Sequence, residues 1–276
     1  MTTLDPDRPW RGFSAPLGPS GAHALYGPPP WEFEGTCVNV SLRVGAAMLA
    51  PLVPEPLQVA PDPVVRISVF DFVCDCGLGQ GFVQHRPDLA QQAEAVIGIG
   101  VVYAGKPGYW PSLLWCTSDV EMAVGREMYG WPQRLGSVSL TRRPLRGWEA
   151  GDRATGLVSR GDRAVLSVAV TLERTGQGTM TGDSGSLDSH IGRMPIFTQT
   201  TLADPMRPGL IERRLVGIDI ANVRVEEVWR GSAAVELVAP ETAFLRDATV
   251  IEGRWLKMRW TKPYAQNLIA ESSAPA

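Results

Sequence analysis

The chain has 276 residues, of which 44% are hydrophobic and 20% are charged, and its formal net charge is −3. This composition can fill a hydrophobic core, and it excludes an intrinsically disordered protein. Because the sequence has no basic cluster and no apolar run of about 18 residues, we expect neither a nucleic-acid partner nor a membrane. The N-terminus carries no signal-peptide pattern, which predicts a cytoplasmic protein.

The cysteines, histidines and glycines form no metal-binding or nucleotide-binding motif. Cys74 and Cys76 are separated by one residue, whereas zinc-binding pairs usually have two between them. The three histidines are widely scattered. The glycine-rich segment 77–81 has neither the spacing of a dinucleotide-binding loop nor the lysine of a P-loop. We therefore expect four reduced, mostly buried thiols, and we predict no metal and no cofactor.

In the first half of the chain, proline- and glycine-rich segments alternate with apolar runs. Residues 1–31 have the composition of an extended arm. A short apolar helix is predicted at 45–53, where Pro54 ends it, and the polar segment 86–94 is typical of a loop or a helical turn. Strands are predicted at 36–44, 63–74, 95–104 and 109–117.

The strongest helix pattern of the chain runs from Ser118 to Gly130. Either Ser118 or Asp119 can cap its N-terminus, and Glu121 stands where a capping box has its acidic residue. Gly130 ends the helix, and Pro132 prevents the helix from resuming.

Short strand-like runs fill the second half of the chain, separated by turn signals such as SRGD and WRGS. They lie at 136–141, 155–160, 163–173, 209–217, 222–229, 233–238 and 247–260. A flexible loop is predicted at 175–186. Many short strands with few helices favour a single β-rich domain at 32–264, followed by a flexible tail at 265–276.

The segment GREMYGWPQRLG, residues 125–136, resembles a turn of the acetoacetate decarboxylase family. In that family a helix ending in GRE is followed by an aromatic residue, proline, two lysines, leucine and glycine. Other segments are similar to family motifs and stand in the same order. They are LVPEPLQV (52–59), VVRISVF (64–70), IGVVYAGKPGYW (99–110) and VRVEEVWRGSAAVEL (223–237). The resemblance spans residues 27–262.

The resemblance implies a mainly β (α+β) fold, namely a closed, cone-like antiparallel β-barrel with a few peripheral helices. It also implies a dry pocket inside the barrel and assembly into a homo-oligomer. In the family, a lysine of the turn forms a Schiff base with a ketone and so provides an electron sink for decarboxylation. The family is a standard example of a lysine made nucleophilic by its surroundings.

In this chain, Gln133 and Arg134 stand where the family has its two lysines. Glutamine cannot form an imine, and arginine is effectively always protonated and is no amine nucleophile. The chain has three lysines, Lys106, Lys257 and Lys262, and none of them falls in the turn. We expect Lys106 to be exposed. The resemblance therefore implies the family's pocket without its Schiff-base chemistry.

Other family positions are kept unevenly. A pocket arginine of the first strand falls at Gly35 and a carboxylate of the second strand falls at Ser68, so both groups are missing. A family glutamate falls at Glu94 by counting back from GKPG, and at Gln84 by counting forward from GLG. The two counts differ because of an insertion at about 81–92. We favour Glu94, since the backward count crosses no gap.

The candidate catalytic residues are Glu94, Gln133 and Arg134, and each has an alternative role. Glu94 acts as acid and base with a pKa raised by burial, or it pairs with Arg134. Arg134 anchors a substrate carboxylate or enolate, or it forms a salt bridge with a nearby carboxylate. Gln133 donates to a substrate carbonyl, or it satisfies backbone groups. The expected substrate-binding residues are Trp131, Tyr103, Trp110, Trp115, Ser68 and Gln84.

Three functional hypotheses follow. The first is an enzyme with lysine-independent chemistry, performing a lyase-, dehydratase-, isomerase- or cyclase-type step on a keto acid or a polyketide-like small molecule in secondary metabolism. The second is a non-catalytic protein that binds a small acid or ketone. The third is a decarboxylase that uses a route without a Schiff base. We favour the first hypothesis.

Overall fold

The computed structural model describes residues 26–175, 195–203 and 210–272, which are mainly β. The strands in these ranges are β1 (Trp31–Arg43), β2 (Gln58–Val59), β3 (Val64–Cys74), β4 (Gln91–Tyr103), β5 (Lys106–Cys116), β6 (Gln133–Leu135), β7 (Ser137–Leu140), β8 (Arg153–Arg160), β9 (Arg163–Thr175), β10 (Ile196–Ala203), β11 (Leu210–Ile218), β12 (Ala221–Leu237), β13 (Thr249–Lys262) and β14 (Gln266–Ser272).

The helices of the described residues are short. They are α1 (Ala46–Leu49), α2 (Gln80–His85), α3 (Pro87–Ala90) and α4 (Asp119–Tyr129), with 3₁₀ turns at Ala50–Leu52 and Pro240–Leu245. In the parts of the chain that are described, no helix is both long enough and apolar enough to cross a membrane. The prediction of a mainly β fold with a few helices is confirmed.

The described strands join one sheet. Its order is β14-β11-β10-β5-β4-β3-β1-β13-β12-β9-β8-β7, with β2 beside β4 and β6 beside β5. The paired strands are antiparallel except that β5 runs parallel to β6 and to β10. The hydrogen-bonded path is open from β14 to β7, so the closed barrel implied by the resemblance is not confirmed.

Strands β13, β1, β3, β4 and β5 form the centre of the sheet and are buried on both faces. Side chains alternate between the two faces of a strand. On β3, Val65, Ile67 and Val69 belong to the main hydrophobic cluster, together with residues of β7, β8 and β9. Arg66 and Ser68 of the same strand line a cavity on the other face, which α4 and the turn after it cover.

Helix α4 begins and ends as its local sequence predicts. The hydroxyl of Ser118 accepts a hydrogen bond from the backbone N–H of Glu121 at 3.2 Å. Gly130 follows the last helical residue in the left-handed conformation, with φ at 66°. The carboxylate of Glu121 lies in the wall of the cavity, so this residue belongs to the cap through its backbone and to the cavity through its side chain.

Strand β12 corrects the prediction of a turn at WRGS. The two predicted strands, 222–229 and 233–238, merge into one continuous strand of 17 residues that ends at Leu237 and pairs with both β13 and β9. A Cβ atom at Gly231 would lie 1.8 Å from the backbone oxygen of Thr171. The glycine that suggested a turn instead allows β12 and β9 to approach each other closely.

Other stretches also differ from the prediction. The segment 86–94 divides into α3 and the start of β4, so Glu94 lies in a strand. Strand β10 has no predicted counterpart, and β14 lies within 265–276, where a flexible tail is expected, and pairs with β11. The arm up to residue 25 and all but the first residue of the loop 175–186 lie outside the described residues. The division into arm, domain and tail stays a prediction.

We expect Gly231→Ala to destabilise the protein by about 2 kcal/mol or more, because the new methyl group meets backbone that cannot rotate away. Gly81→Ala is the control. Gly81 lies in α2, where an added Cβ meets no atom within 4 Å, so alanine there should be neutral or stabilise by up to about 1 kcal/mol. Urea unfolding followed by circular dichroism measures both effects. A wild-type midpoint for Gly231→Ala would contradict the close approach.

Candidate active site

A cavity of about 210 Å³ lies on the second face of the central strands. Its walls come from β1, β3, β4, β5 and β13, from α4 and from the turn after α4, and most of its lining is apolar or aromatic. Its polar lining includes Asn39, Ser68 and the charged residues Arg66, Glu94, Glu121 and Lys262. The arrangement is a small, largely apolar chamber with a few charged groups, as is typical of a ligand site.

The turn after α4 places a buried glutamine behind the cavity wall, against Glu94. The backbone N–H of Trp131 donates to the carbonyl of Gly125 at 3.0 Å, which closes the end of the helix. The chain then pairs in parallel with β5 through β6, so that Gln133 lies opposite Leu114 and is fully buried. Arg126 ties the turn to the helix, because its Nη1 donates to the carbonyl of Gln133 at 3.2 Å.

The side chain of Gln133 contacts Glu94 across the sheet. Its Nε2 donates a hydrogen bond to Oε2 of Glu94 at 3.3 Å. This arrangement requires a glycine in α4, because a Cβ atom at Gly125 would lie 1.6 Å from Oε1 of Gln133. The glycine of the GRE segment is therefore explained by space, since it makes room for the glutamine side chain.

Glu94 carries a strongly perturbed carboxyl group. Its pKa is raised from 4.5 to about 8, mainly by burial and then by the nearby carboxylate of Glu121, while Lys262 and the hydrogen bond from Gln133 act in the opposite direction. Glu94 therefore holds a proton at neutral pH, and loss of that proton is accessible near neutrality. A buried carboxyl of this kind in a cavity is typical of a catalytic acid or base.

Lys262, at the end of β13, is like Arg66 a charged residue of the cavity that the sequence did not single out. Its side chain is 1% exposed. Its Nζ lies over several aromatic rings, at 4.1 Å from the ring centroid of Trp131, 4.2 Å from Tyr129 and 4.5 Å from Trp31. Oε1 of Glu121 is 4.0 Å from the same Nζ. The rings and the carboxylate together form a cage that attracts an ammonium ion.

The opposite part of the lining is built on β3. The guanidinium carbon of Arg66 lies 4.7 Å from the ring centroid of Tyr109, and burial lowers the pKa of Arg66. Ser68 accepts a hydrogen bond from Nδ2 of Asn39 at 2.6 Å. Because the oxygen of Ser68 is the acceptor in this pair, its hydroxyl hydrogen can be donated, and the thiol of Cys37 is one acceptor already within reach.

The family model for acetoacetate decarboxylase (ADC) matches residues 14–268. The chain belongs to the acetoacetate decarboxylase family. It is 25% identical over 224 residues, 81% of each chain, to the acetoacetate decarboxylase of Clostridium botulinum (strain Eklund 17B / Type B).

Solved structures share the family fold. The acetoacetate decarboxylase-like enzyme from Sphingomonas wittichii RW1 superposes with a TM-score of 0.81 at 23% identity, covering 95% of this chain and 100% of that chain. The enduracididine biosynthesis enzyme MppR complexed with pyruvate gives a TM-score of 0.77 at 22% identity, covering 95% and 98%. MppR has also been solved with the condensation product of pyruvate and imidazole 4-carboxaldehyde.

Of the two positions that resemble the lysine positions of the acetoacetate decarboxylase family, Gln133 contacts the cavity residue Glu94, although Gln133 itself is not part of the cavity lining. Arg134 follows it on β6 and therefore points the other way. Its side chain is 38% exposed, and its Nη1 lies 3.7 Å from Oε1 of Glu241. Of the two roles considered for Arg134, the structure shows the salt bridge with a nearby carboxylate, because the alternation along β6 directs the guanidinium away from the cavity lining.

Some of the other predicted substrate-binding residues line the cavity, and others lie elsewhere. Trp131 and Ser68 line the cavity. Trp115 is fully buried in the main hydrophobic cluster, and Trp110 and Tyr103 pack against that cluster, so these three side chains are not part of the cavity lining. Gln84 is exposed on α2. Of the two positions weighed for the family glutamate, Glu94 is therefore the one inside the cavity.

The sequence contains a signal that could have identified Lys262. Leu256, Met258, Trp260 and Lys262 alternate along β13, and all four line the cavity. A lysine that continues an apolar series with a period of two is expected to share its buried face. Lys262 was not predicted because the lysines were compared only with the two family positions in the turn after α4.

We expect Gly125→Ala to cost about 1–3 kcal/mol of stability, because its methyl group strikes the side chain of Gln133. The three atoms closest to the added Cβ all belong to Gln133. In a Gln133→Ala background the same substitution should therefore be neutral or stabilising, since alanine favours a helix over glycine. Urea unfolding of the wild type, both single variants and the double variant measures the coupling. Equal costs in the two backgrounds would exclude this packing.

The pH dependence of stability tests the burial of Glu94. With its pKa raised from 4.5 to about 8, Glu94 keeps a proton in the folded protein that the unfolded chain releases. The free energy of unfolding therefore falls as the pH rises through this window. Glu94→Gln has no titrating group at this position. Its free energy of unfolding should therefore rise relative to that of the wild type by on the order of a few kcal/mol between about pH 5 and about pH 8. Parallel pH profiles of the two proteins would contradict the shift.

Proposed function

We propose that this chain is an enzyme of lyase or isomerase type that moves a proton next to the carbonyl of a small keto acid, with Glu94 as acid and base. The observation that carries the proposal is the buried carboxyl of Glu94 in the cavity wall, with a pKa raised to about 8. A general acid–base group works best when its pKa is near the working pH, because both of its forms are then accessible.

The proposed step needs only groups of this chain. As a carboxylate, Glu94 takes the proton from the carbon next to the carbonyl, and the electron pair of that C–H bond becomes the enolate. As a carboxylic acid, it returns the proton to another carbon, which completes an isomerisation, or to a β-hydroxyl group that leaves as water, which completes a dehydration. The hydroxyl of Ser68, oriented by Asn39, is a donor for the enolate oxygen.

Gln133 has a positioning role in this proposal. Its amide donates to Oε2 of Glu94 and is itself held in place by the turn and by Gly125. It supplies no amine, so the proposed chemistry is independent of a Schiff base at the turn. We assign no imine to Lys262 either, because its aromatic surroundings attract the ammonium form.

The size of the cavity and the relatives support a small keto acid as the substrate. A volume of about 210 Å³ is below the roughly 300–1,000 Å³ of pockets for drug-sized ligands, which disfavours a large polyketide-like molecule. MppR, which shares the fold, has been solved with pyruvate. Because MppR is an enduracididine biosynthesis enzyme, the proposal includes a role in secondary metabolism. It also includes a cytoplasmic homo-oligomer without a cofactor.

Two alternatives remain within the same cavity. One is decarboxylation without a Schiff base, which the curated relatives favour because they are named acetoacetate decarboxylases. The other is a binding protein without turnover. Decarboxylation releases CO₂ from acetoacetate, whereas the proposed proton transfer exchanges hydrogen without loss of carbon, and the binding protein does neither.

The experiment is the exchange with D₂O of the methyl protons of pyruvate and of the C3 methylene protons of 2-oxobutanoate, followed by ¹H NMR. We expect the wild type to accelerate exchange and Glu94→Gln to lose about 10²–10⁴-fold of the rate, because the substituted amide cannot take a proton. Glu241→Gln is the matched control, since Glu241 pairs with Arg134 outside the cavity lining, and it should keep the wild-type rate.

Three outcomes would overturn the proposal. Full exchange by Glu94→Gln would remove Glu94 as the base. Binding of the keto acids without any exchange would favour the binding protein. A covalent adduct trapped with borohydride in the presence of acetoacetate, detected by mass spectrometry, would restore the imine route.

A further inference from the structure

The ammonium group of Lys262 is buried with its hydrogen-bond donors unused. Its Nζ has no hydrogen-bond partner among the described residues, although the side chain is 1% exposed. The carboxylate oxygen of Glu121 that pairs with it is 4.0 Å away, which is beyond hydrogen-bonding distance. A buried donor without an acceptor costs about 1–3 kcal/mol, and more when it is charged. Such a group needs an explanation.

The aromatic rings around Lys262 do not explain its unused hydrogen-bond donors. The ring faces of Trp31, Tyr129 and Trp131 attract the positive charge, but a ring face offers no lone pair that replaces an oxygen acceptor. An ammonium has three donors. The cage therefore holds the cation in position and leaves its donors available in the wall of the cavity, which Lys262 lines together with Glu94.

We propose that Lys262 binds the carboxylate of the substrate, so that the site selects small monoanionic keto acids over their neutral analogues. This inference rests on the function proposed above and deepens it by naming the group that recognises the acid. Lys262 is an anchoring residue here, and Glu94 remains the residue that moves the proton.

The charges of the cavity lining favour an anion. Arg66 and Lys262 are cationic, Glu121 is a carboxylate, and Glu94 holds a proton at neutral pH. Within the lining the cationic residues outnumber the carboxylates, while Arg66 also interacts with Glu252 outside it. In an apolar chamber a charge-assisted hydrogen bond between an ammonium and a carboxylate is stronger than a bond between neutral groups.

A neutral donor in the same wall complements this anchor. The indole N–H of Trp131 is buried without a hydrogen-bond partner in the described structure, and Trp131 lines the cavity beside Lys262. A carboxylate has two oxygens with several acceptor sites, so it can accept from both donors at once. A keto acid held in this way has its carbonyl carbon next to the anchored group, at the end of the cavity that contains Glu94.

The test compares binding of pyruvate with binding of pyruvamide, its neutral analogue of nearly the same shape, by isothermal titration calorimetry. We expect the wild type to bind pyruvate about 10- to 100-fold more tightly than pyruvamide, as one charge-assisted contact provides. Lys262→Met should lose this preference. Lys257→Met is the matched control on the same strand, because Lys257 pairs with Glu226 and Glu34 at the surface and should keep the preference.

Two further variants make the test independent of folding and of turnover. Glu121→Gln removes the carboxylate that competes for Lys262, so it should bind pyruvate more tightly than the wild type does. Glu94→Gln should keep the preference for pyruvate even though it loses proton exchange, which separates failure of the anchor from failure of the proposed function.

The proposal is overturned if the wild type binds pyruvamide as well as pyruvate, if pyruvate does not bind, or if Lys262→Met folds and keeps the preference. If Lys262→Met does not fold, unchanged pyruvate affinity in Glu121→Gln decides against the anchor. A borohydride-trapped adduct on Lys262 also overturns it, because the residue would then act as an amine rather than as a cation.

Discussion

The burial of the central strands on both faces is the constraint on which the rest of the structure depends. A strand covered on one face can send its polar residues to water, but the central stretches of β1, β3 and β4 have no such face. Their valines and isoleucines fill the core shared with β7, β8 and β9. Polar residues at the intervening positions of these stretches, such as Ser68 and Glu94, lie in the cavity wall, where they must find a partner or serve a ligand. The location of the site thus follows from the pleat of the sheet.

The turn after α4 adds the element that the sheet alone does not supply. Gly130 ends the helix, Pro132 keeps it from resuming, and the short strand β6 then places Gln133 beside Glu94. Gly125 contributes by having no side chain where the glutamine lies. These residues act as one unit, because Gln133 can reach Glu94 only when the helix ends at Gly130 and position 125 has no side chain.

Local features of this unit could be predicted from the sequence, whereas its partners could not. The cap at Ser118, the end of α4 at Gly130 and the mainly β class depend on neighbouring residues or on composition, and they are as predicted. The predicted strand 109–117 is apolar on both of its faces. Its sequence therefore does not predict whether Trp115 points to the cavity or to the main hydrophobic cluster. The cage of Lys262 joins residues more than 100 positions apart in the sequence, which no local pattern reports.

The glycine of WRGS is a second case in which the local sequence does not identify the partner of a residue. Gly231 is a turn signal by its local sequence, yet the contact that requires a glycine there is with Thr171 on another strand. Glycine marks both tight turns and close backbone approach. Which of the two applies depends on a strand that the local sequence does not contain, and the same ambiguity holds for Gly125, whose neighbour is a side chain eight residues further along the chain.

The residue at position 133 also determines the charge state of Glu94. An opposite charge at hydrogen-bonding distance from a buried carboxyl stabilises the carboxylate and lowers its pKa. A lysine at this position would therefore hold Glu94 as a counter-ion. Glutamine donates a hydrogen bond but carries no charge, and its effect is the smallest of those that act on Glu94, so burial prevails and the pKa rises to about 8. A neutral residue at the turn therefore makes Glu94 an acid, while the positive charge that an anionic substrate needs is supplied by Lys262 from another strand.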